Sequence, residues 1–154
     1  MTVTIRRAGE KDADAVAATF TASFAGLLSF LPRLHTPEED RAFFSRAIVE
    51  REVWIAEADG AVLGLAAIHD NELSHLYVAP ERQSSGIGGA LLEHVKRERP
   101  AGFTLWVFQQ NEGARRFYER HGLRLVRETD GSGNEERTPD ALYEWRPAGG
   151  GATT

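Results

Sequence analysis

From residue 83 to 89 the chain reads Gln83, Ser84, Ser85, Gly86, Ile87, Gly88, Gly89, and the amphipathic segment that follows has the period of a helix. A helix start leaves backbone N–H groups unpaired and carries a partial positive charge, so small residues there let a phosphate come close to the main chain. Each such contact is worth roughly 0.3 to 1 kcal/mol when exposed and up to about 2 when partly buried, so several together could hold a diphosphate. The same glycines also suit tight packing of helix on sheet, and residue types alone leave both readings open. The segment is not a Walker A loop, because no lysine followed by Ser or Thr closes it, and it lacks the G-x-G-x-x-G of a dinucleotide fold.

The surrounding elements follow from apolar periodicity and local chemistry. A strand is predicted over residues 3–8 and a helix over 10–24, while the apolar stretch 26–35 is broken by Pro32 and reads as a loop or helix end. Thr36 as N-cap, Pro37 at the first helical position and Glu39 completing a capping box start a second helix that reaches about Val49. Residues 53–70 form two strands joined at Asp59-Gly60, a type I′ hairpin signal. A strand over 72–78, a helix ending before Pro100 and a strand over 104–108 make a parallel β-α-β unit. Asn111 caps a short helix that Gly122 stops, and strands over 123–129 and 141–146 close the chain. The expected architecture is a single α/β domain over 1–146, with a mixed central sheet of about seven strands flanked by about four helices. Residues 147–154 are expected to be a disordered tail.

Composition narrows the function. The 154 residues are 42% hydrophobic and 27% charged, as in an ordinary folded domain. No cysteine is present, which excludes disulfides, thiolate zinc sites and a cysteine nucleophile and fits a reducing cytosol. A net charge of -5 argues against a general nucleic-acid binder and permits cationic substrates. Neither a signal peptide nor a membrane-length apolar run occurs, so a cytoplasmic protein without membrane contact is expected. Calcium-loop and histidine-pair spacings are missing too, and no metal is expected.

Two motifs resemble a known family. The stretch "LYVAPERQSSGIGGALL" is similar to the acyl-coenzyme A loop of GNAT-type N-acetyltransferases, with Gln83, Gly86 and Gly88 at the signature positions. The stretch "NEGARRFYERHGL" resembles a late helix of the same superfamily at Asn111, Ala114, Phe117, Tyr118 and Gly122. The resemblance implies the GNAT fold, acetyl-CoA as co-substrate, and donor contacts from Leu76, Tyr77, Val78, residues 83–89, Asn111, Ala114, Phe117 and Tyr118. One departure stands in the loop: Ser84 occupies a position where many members have glycine. Gln83, which the signature admits, stands in place of the commoner arginine and removes a charged phosphate partner, so backbone N–H groups matter more.

The implied reaction is acetyl transfer to a primary amine by direct attack in a ternary complex. A lysine-like amine costs on the order of 4 to 5 kcal/mol to deprotonate at pH 7, so a base or desolvation should help. Glu72 and His75 are the base candidates, on the strand that the resemblance places beside the thioester, and strict alternation sets them on opposite faces. Tyr118 matches the family's tyrosine near the coenzyme sulfur and would serve as the acid. Phe30, His35 and Glu135 are candidates for acceptor contact, the last because Glu135 or its neighbour Glu136, folded over the entrance, would recognise a cationic amine. The acceptor is a small-molecule amine or a protein amine, and a homodimer is an expectation by analogy of fold. The alternatives are a non-catalytic coenzyme A-binding module and transfer of a longer acyl group.

Overall fold

Thr36, Asp59-Gly60 and Asn111 act where their local chemistry places them. In the computed structural model, which describes residues 2–26 and 30–147, the Thr36 hydroxyl accepts from Glu39 N–H at 3.1 Å and the Glu39 carboxylate accepts from Thr36 N–H at 2.8 Å. This reciprocal cap opens α2 (Pro37–Glu50), which packs beside α1 (Ala13–Ala25); β1 (Thr4–Arg7) comes before both, leading into a 3-10 turn at Glu10–Asp12. Asp59 and Gly60, both at positive φ, join β2 (Glu52–Ala58) to β3 (Ala61–His69) as a type I′ turn requires. Next come β4 (Glu72–Val78), a 3-10 turn at Pro80–Arg82, α3 (Ile87–Glu98), β5 (Phe103–Phe108), α4 (Glu112–Arg120), β6 (Arg124–Thr129) and β7 (Asp140–Trp145). The tail expected over 147–154 lies outside the described residues from 148 onward, as do 27–29 of the broken apolar stretch.

The seven strands form one mixed sheet in the order β1-β2-β3-β4-β5-β7-β6. One face packs on α3 through Ile87, Leu91, Leu92 and Val95, and the other on α1 and α2 through Val16, Ala17, Phe44 and Ile48. Of the ladders, β4 with β5 is the short one: these parallel strands share a single register pair, Glu72 with Thr104, and then diverge. The carbonyl of Val78 accepts instead from the Ser23 hydroxyl at 2.6 Å and from Gln83 Nε2 at 3.3 Å. Ala79 N–H bonds Leu63 on β3 at 2.8 Å, so alternation turns the polar backbone of Leu76 and Val78 away from β3 and into the opening. A sheet parted in this way offers unpaired main-chain groups to a ligand.

The expectation that Glu72 and His75 lie on opposite faces is corrected. His75 pairs with Ala67 and Leu73 with Ile68, which leaves Ser74 as an extra residue on β4, its hydroxyl bonded to Ala67 O at 3.1 Å. This bulge resets the alternation. Glu72, opposite His69, therefore shares the face of His75, but it stands at the end where β4 and β5 are still joined.

Candidate active site

The parted strands open into a cleft of about 900 Å³ walled by β4, the Gln83–Gly89 turn and α4. Gly86 caps α3 in the left-handed region, at φ 89, which directs the first turn of N–H groups at the cleft. Ser84 is also left-handed, at φ 67, which gives a physical reason for glycine being common there: a side chain in this region costs roughly 1 kcal/mol or more. Of the residues expected to contact the donor, Leu76, Tyr77, Val78, Gln83, Ser84, Gly86, Gly88, Gly89, Asn111, Ala114, Phe117 and Tyr118 all line this cleft. Ser85 and Ile87 do not: the Ser85 hydroxyl turns back to Arg82 O, and the Ile87 side chain is buried in the core. Asn111 caps α4 as expected, accepting from Ala114 N–H at 3.2 Å.

Four wall residues are absent from the sequence-based expectations, among them Gly113 in the first turn of α4. Ser23 reaches the cleft from α1, and Arg120 and His121 reach it from the end of α4. Arg120 supplies a cation on a cleft where Gln83 does not. Its position follows from the docking of α4 and not from any motif.

Tyr118 is 9% exposed, and burial followed by the proximity of Tyr77 holds its hydroxyl well above the ordinary tyrosine range, so it is protonated at every physiological pH. Tyr77 is pushed up to about 12 by burial, with the charge of Glu136 adding to the effect. Its ring stacks edge-on against Phe20 at 4.9 Å and lines both the cleft and a second cavity of about 700 Å³ between β4, β5 and the loop before β7. That second cavity adjoins a third, of about 630 Å³, bounded by α1, α2 and the same loop.

His75 sits at the floor of both cavities, among Phe20, Phe43 and Phe44 at 5.8, 5.3 and 5.4 Å between ring centres. Its edge touches cavity space, yet the ring lies deep, and its enclosed Nδ1 finds no partner. Burial, helped by Arg51, lowers its pKa to about 4 from 6.5. The unfolded chain thus binds this proton before the fold does. The contribution to stability is full above about pH 6.5 and is lost as pH falls toward 4, by up to about 3 kcal/mol. Chemical denaturation at pH 7 and pH 4.5 is expected to show a smaller acid loss in His75→Phe than in the native protein; equal losses would remove His75 from the acid response.

The other expected site residues are spread out. Glu72 lines a separate depression of about 380 Å³ with Asp70, Gly102 and Arg146, apart from the cavities that border His75, Tyr77 or Tyr118. Phe30 packs edge-on against Phe108 at 6.4 Å, just behind the second cavity. His35 and Glu135 bond each other at 2.9 Å across the mouth of the third cavity, which raises the His35 pKa. Among the described residues no three His, Asp or Glu side chains gather as metal ligands, and no helix is long and apolar enough to cross a membrane.

The chain is thus an α/β domain whose mixed sheet opens between two parallel strands, with a glycine-capped helix end beside the opening. Residues 50–124 match the family model described as an acetyltransferase (GNAT) domain. A relative from Archaeoglobus fulgidus, named an uncharacterized N-acetyltransferase, is 32% identical over 150 residues, which is 85% of this chain and 99% of that one. The chain belongs to the GNAT acetyltransferase family. The peptidyl-lysine N-acetyltransferase YjaB of Salmonella typhimurium is 26% identical over 127 residues, 82% of this chain and 86% of the relative. The yncA protein of Salmonella typhimurium, solved with its cofactor acetyl-CoA, superposes with a TM-score of 0.73 over 95% of this chain and 94% of that one, at 21% identity. At that identity the likeness is one of fold.

Proposed function

We propose that this protein transfers the acetyl group of acetyl-CoA to a primary amine by direct attack within a ternary complex. The observation that carries the reading is the meeting of two spaces at Tyr77, which lines both the donor cleft beside Tyr118 and the cavity beside His75. The residues present fit the coenzyme: N–H groups of 86–89 for the diphosphate, the backbone of Leu76 and the N–H of Val78 for the pantetheine amides, and Ala114 and Phe117 for its apolar arm. Ser85 and Ile87 would contribute backbone only. The thioester supplies the activated acetyl group.

Tyr118, protonated and facing the cleft, donates its proton to the departing sulfur. Of the two base candidates His75 borders the acceptor space, where it is neutral at pH 7 and so able to accept a hydrogen bond from the amine; Glu72 stands outside that space. An acceptor amine is consistent with the similarity to peptidyl-lysine N-acetyltransferases. Calorimetric titration with acetyl-CoA, followed by an assay for free thiol over a panel of primary amines, tests the reading. Micromolar binding with amine-dependent thiol release is expected. Binding without release would make the protein a coenzyme A-binding module, and no binding would end the acetyltransferase reading.

A further inference from the structure

Four residues, Phe20, Phe24, His75 and Glu136, line both acceptor-side cavities, and Glu136 is the charged one among them. The neighbouring acids are already engaged. Asp40 is held by Arg33 and by the Thr21 hydroxyl, Asp140 by Thr129 and Asn134, and Glu135 by His35. The Glu136 carboxylate has no hydrogen bond or ion pair among the described residues. Of the cations that line these cavities, Arg33 is paired with Asp40, Arg127 lies over the Trp106 ring at 5.5 Å, Arg51 lies over Phe43 at 5.4 Å, and Arg46 is exposed; among the described residues none of them pairs with Glu136.

Glu136 is half-buried, and the loop that carries it is firmly built. The Asn134 side chain donates to Thr138 O at 2.7 Å and accepts from Thr138 N–H at 3.1 Å, so Glu136 is bracketed between Asn134 and Thr138. Gly131, at φ 85, lets the loop close: a Cβ there would lie 2.3 Å from the Thr138 carbonyl carbon. A half-buried carboxylate is thus held beside aromatic walls and the His75 ring, and among the described residues it forms no ion pair with a cation of the chain.

We infer that Glu136 is the specificity-determining residue of the acceptor site, and that the acceptor presents an alkylammonium group on an unbranched apolar stem. This rests on the acetyltransferase reading. The carboxylate draws in the charged amine and Phe20 and Phe24 pack its stem. The ammonium gives its proton to solvent, the nitrogen attacks the thioester carbonyl beside Tyr77, the C–S bond breaks as Tyr118 protonates the sulfur, and the proton that the new amide nitrogen sheds restores Tyr118. The shared chemistry has two sources, a free small amine or a peptide lysine.

The test uses the full chain loaded with coenzyme A, titrated calorimetrically with n-butylamine in one arm and Nα-acetyl-lysine N-methylamide in the other. Glu136→Gln is expected to weaken amine binding at least tenfold, to abolish its dependence on ionic strength and to leave the acetyl-CoA Kd within twofold, with Glu136→Asp recovering part of the loss. A tenfold loss in either arm supports the inference and names the source. Amine affinities within twofold of the native protein in both arms, or no amine binding to the native loaded protein, would overturn it. An acetyl-CoA titration that fails in the native protein would instead remove the donor reading on which it stands.

Discussion

Replacing Tyr118 by Phe is expected to lower kcat for acetyl transfer by roughly 100- to 1000-fold, the usual share of a positioned general acid, while the acetyl-CoA Kd stays within twofold. The substitution deletes one oxygen and keeps the ring, which is buried in the core that joins α4 to the sheet and lies 5.3 Å from the ring of Phe117 on the same helix. Because burial keeps the hydroxyl protonated far above neutral pH, it is in the state that a general acid requires throughout the physiological range. Loss of the proton donor should therefore appear in kcat and not in KM for the donor. Stability should change little, since no described residue shapes that hydroxyl's energy except through burial and Tyr77. A variant that binds acetyl-CoA and turns over at the native rate would move the acid elsewhere in the cleft.

What the sequence made legible was the chemistry that acts within a few residues. The Thr36 cap, the Asp59-Gly60 turn, the Asn111 cap and the glycine entry to α3 each depend on neighbours in the chain, and each stands as expected. The features that shape the site depend on partners far along it. Glu72 changes face because β3 forces Ser74 into a bulge, and no alternation rule applied to β4 alone could show that. Ser23 is 55 residues from the Val78 carbonyl it occupies, and reads in sequence as one more small residue on the buried stripe of α1.

The acceptor side was less legible for the same reason. Glu135 and Glu136 are adjacent and chemically identical in sequence, but the turn built on Asn134 sends one to His35 at the surface and the other to the cavity wall. Which acid is free was decided by the partner, 100 residues away, that captured its neighbour. Ser84 is the converse case. Its departure from the family's glycine was visible in sequence, and its left-handed backbone supplies the energetic meaning.

Gly88 separates the two readings of the glycine segment. An added Cβ there meets Phe117 at 3.5 Å and Val78 at 3.6 Å, ordinary contacts, and the backbone is not left-handed, so Gly88→Ala should fold and bind acetyl-CoA nearly as the native protein does. Gly88→Glu extends a longer, charged side chain from the same position into the cleft, in the first turn of α3. It fills cleft space beside Val78 and Phe117 and competes with the diphosphate for the helix end, where each lost contact costs up to about 2 kcal/mol before charge repulsion is added. A loss of at least about 100-fold in acetyl-CoA affinity, near 2.7 kcal/mol, is expected by calorimetry, with an unchanged circular dichroism spectrum. Were the glycines present only for packing, the order would differ: Ala and Glu would both disturb thermal unfolding, and neither would act selectively on the coenzyme. A folded Gly88→Glu protein that still binds acetyl-CoA with native affinity would place the diphosphate away from α3 and return the segment to packing of helix on sheet.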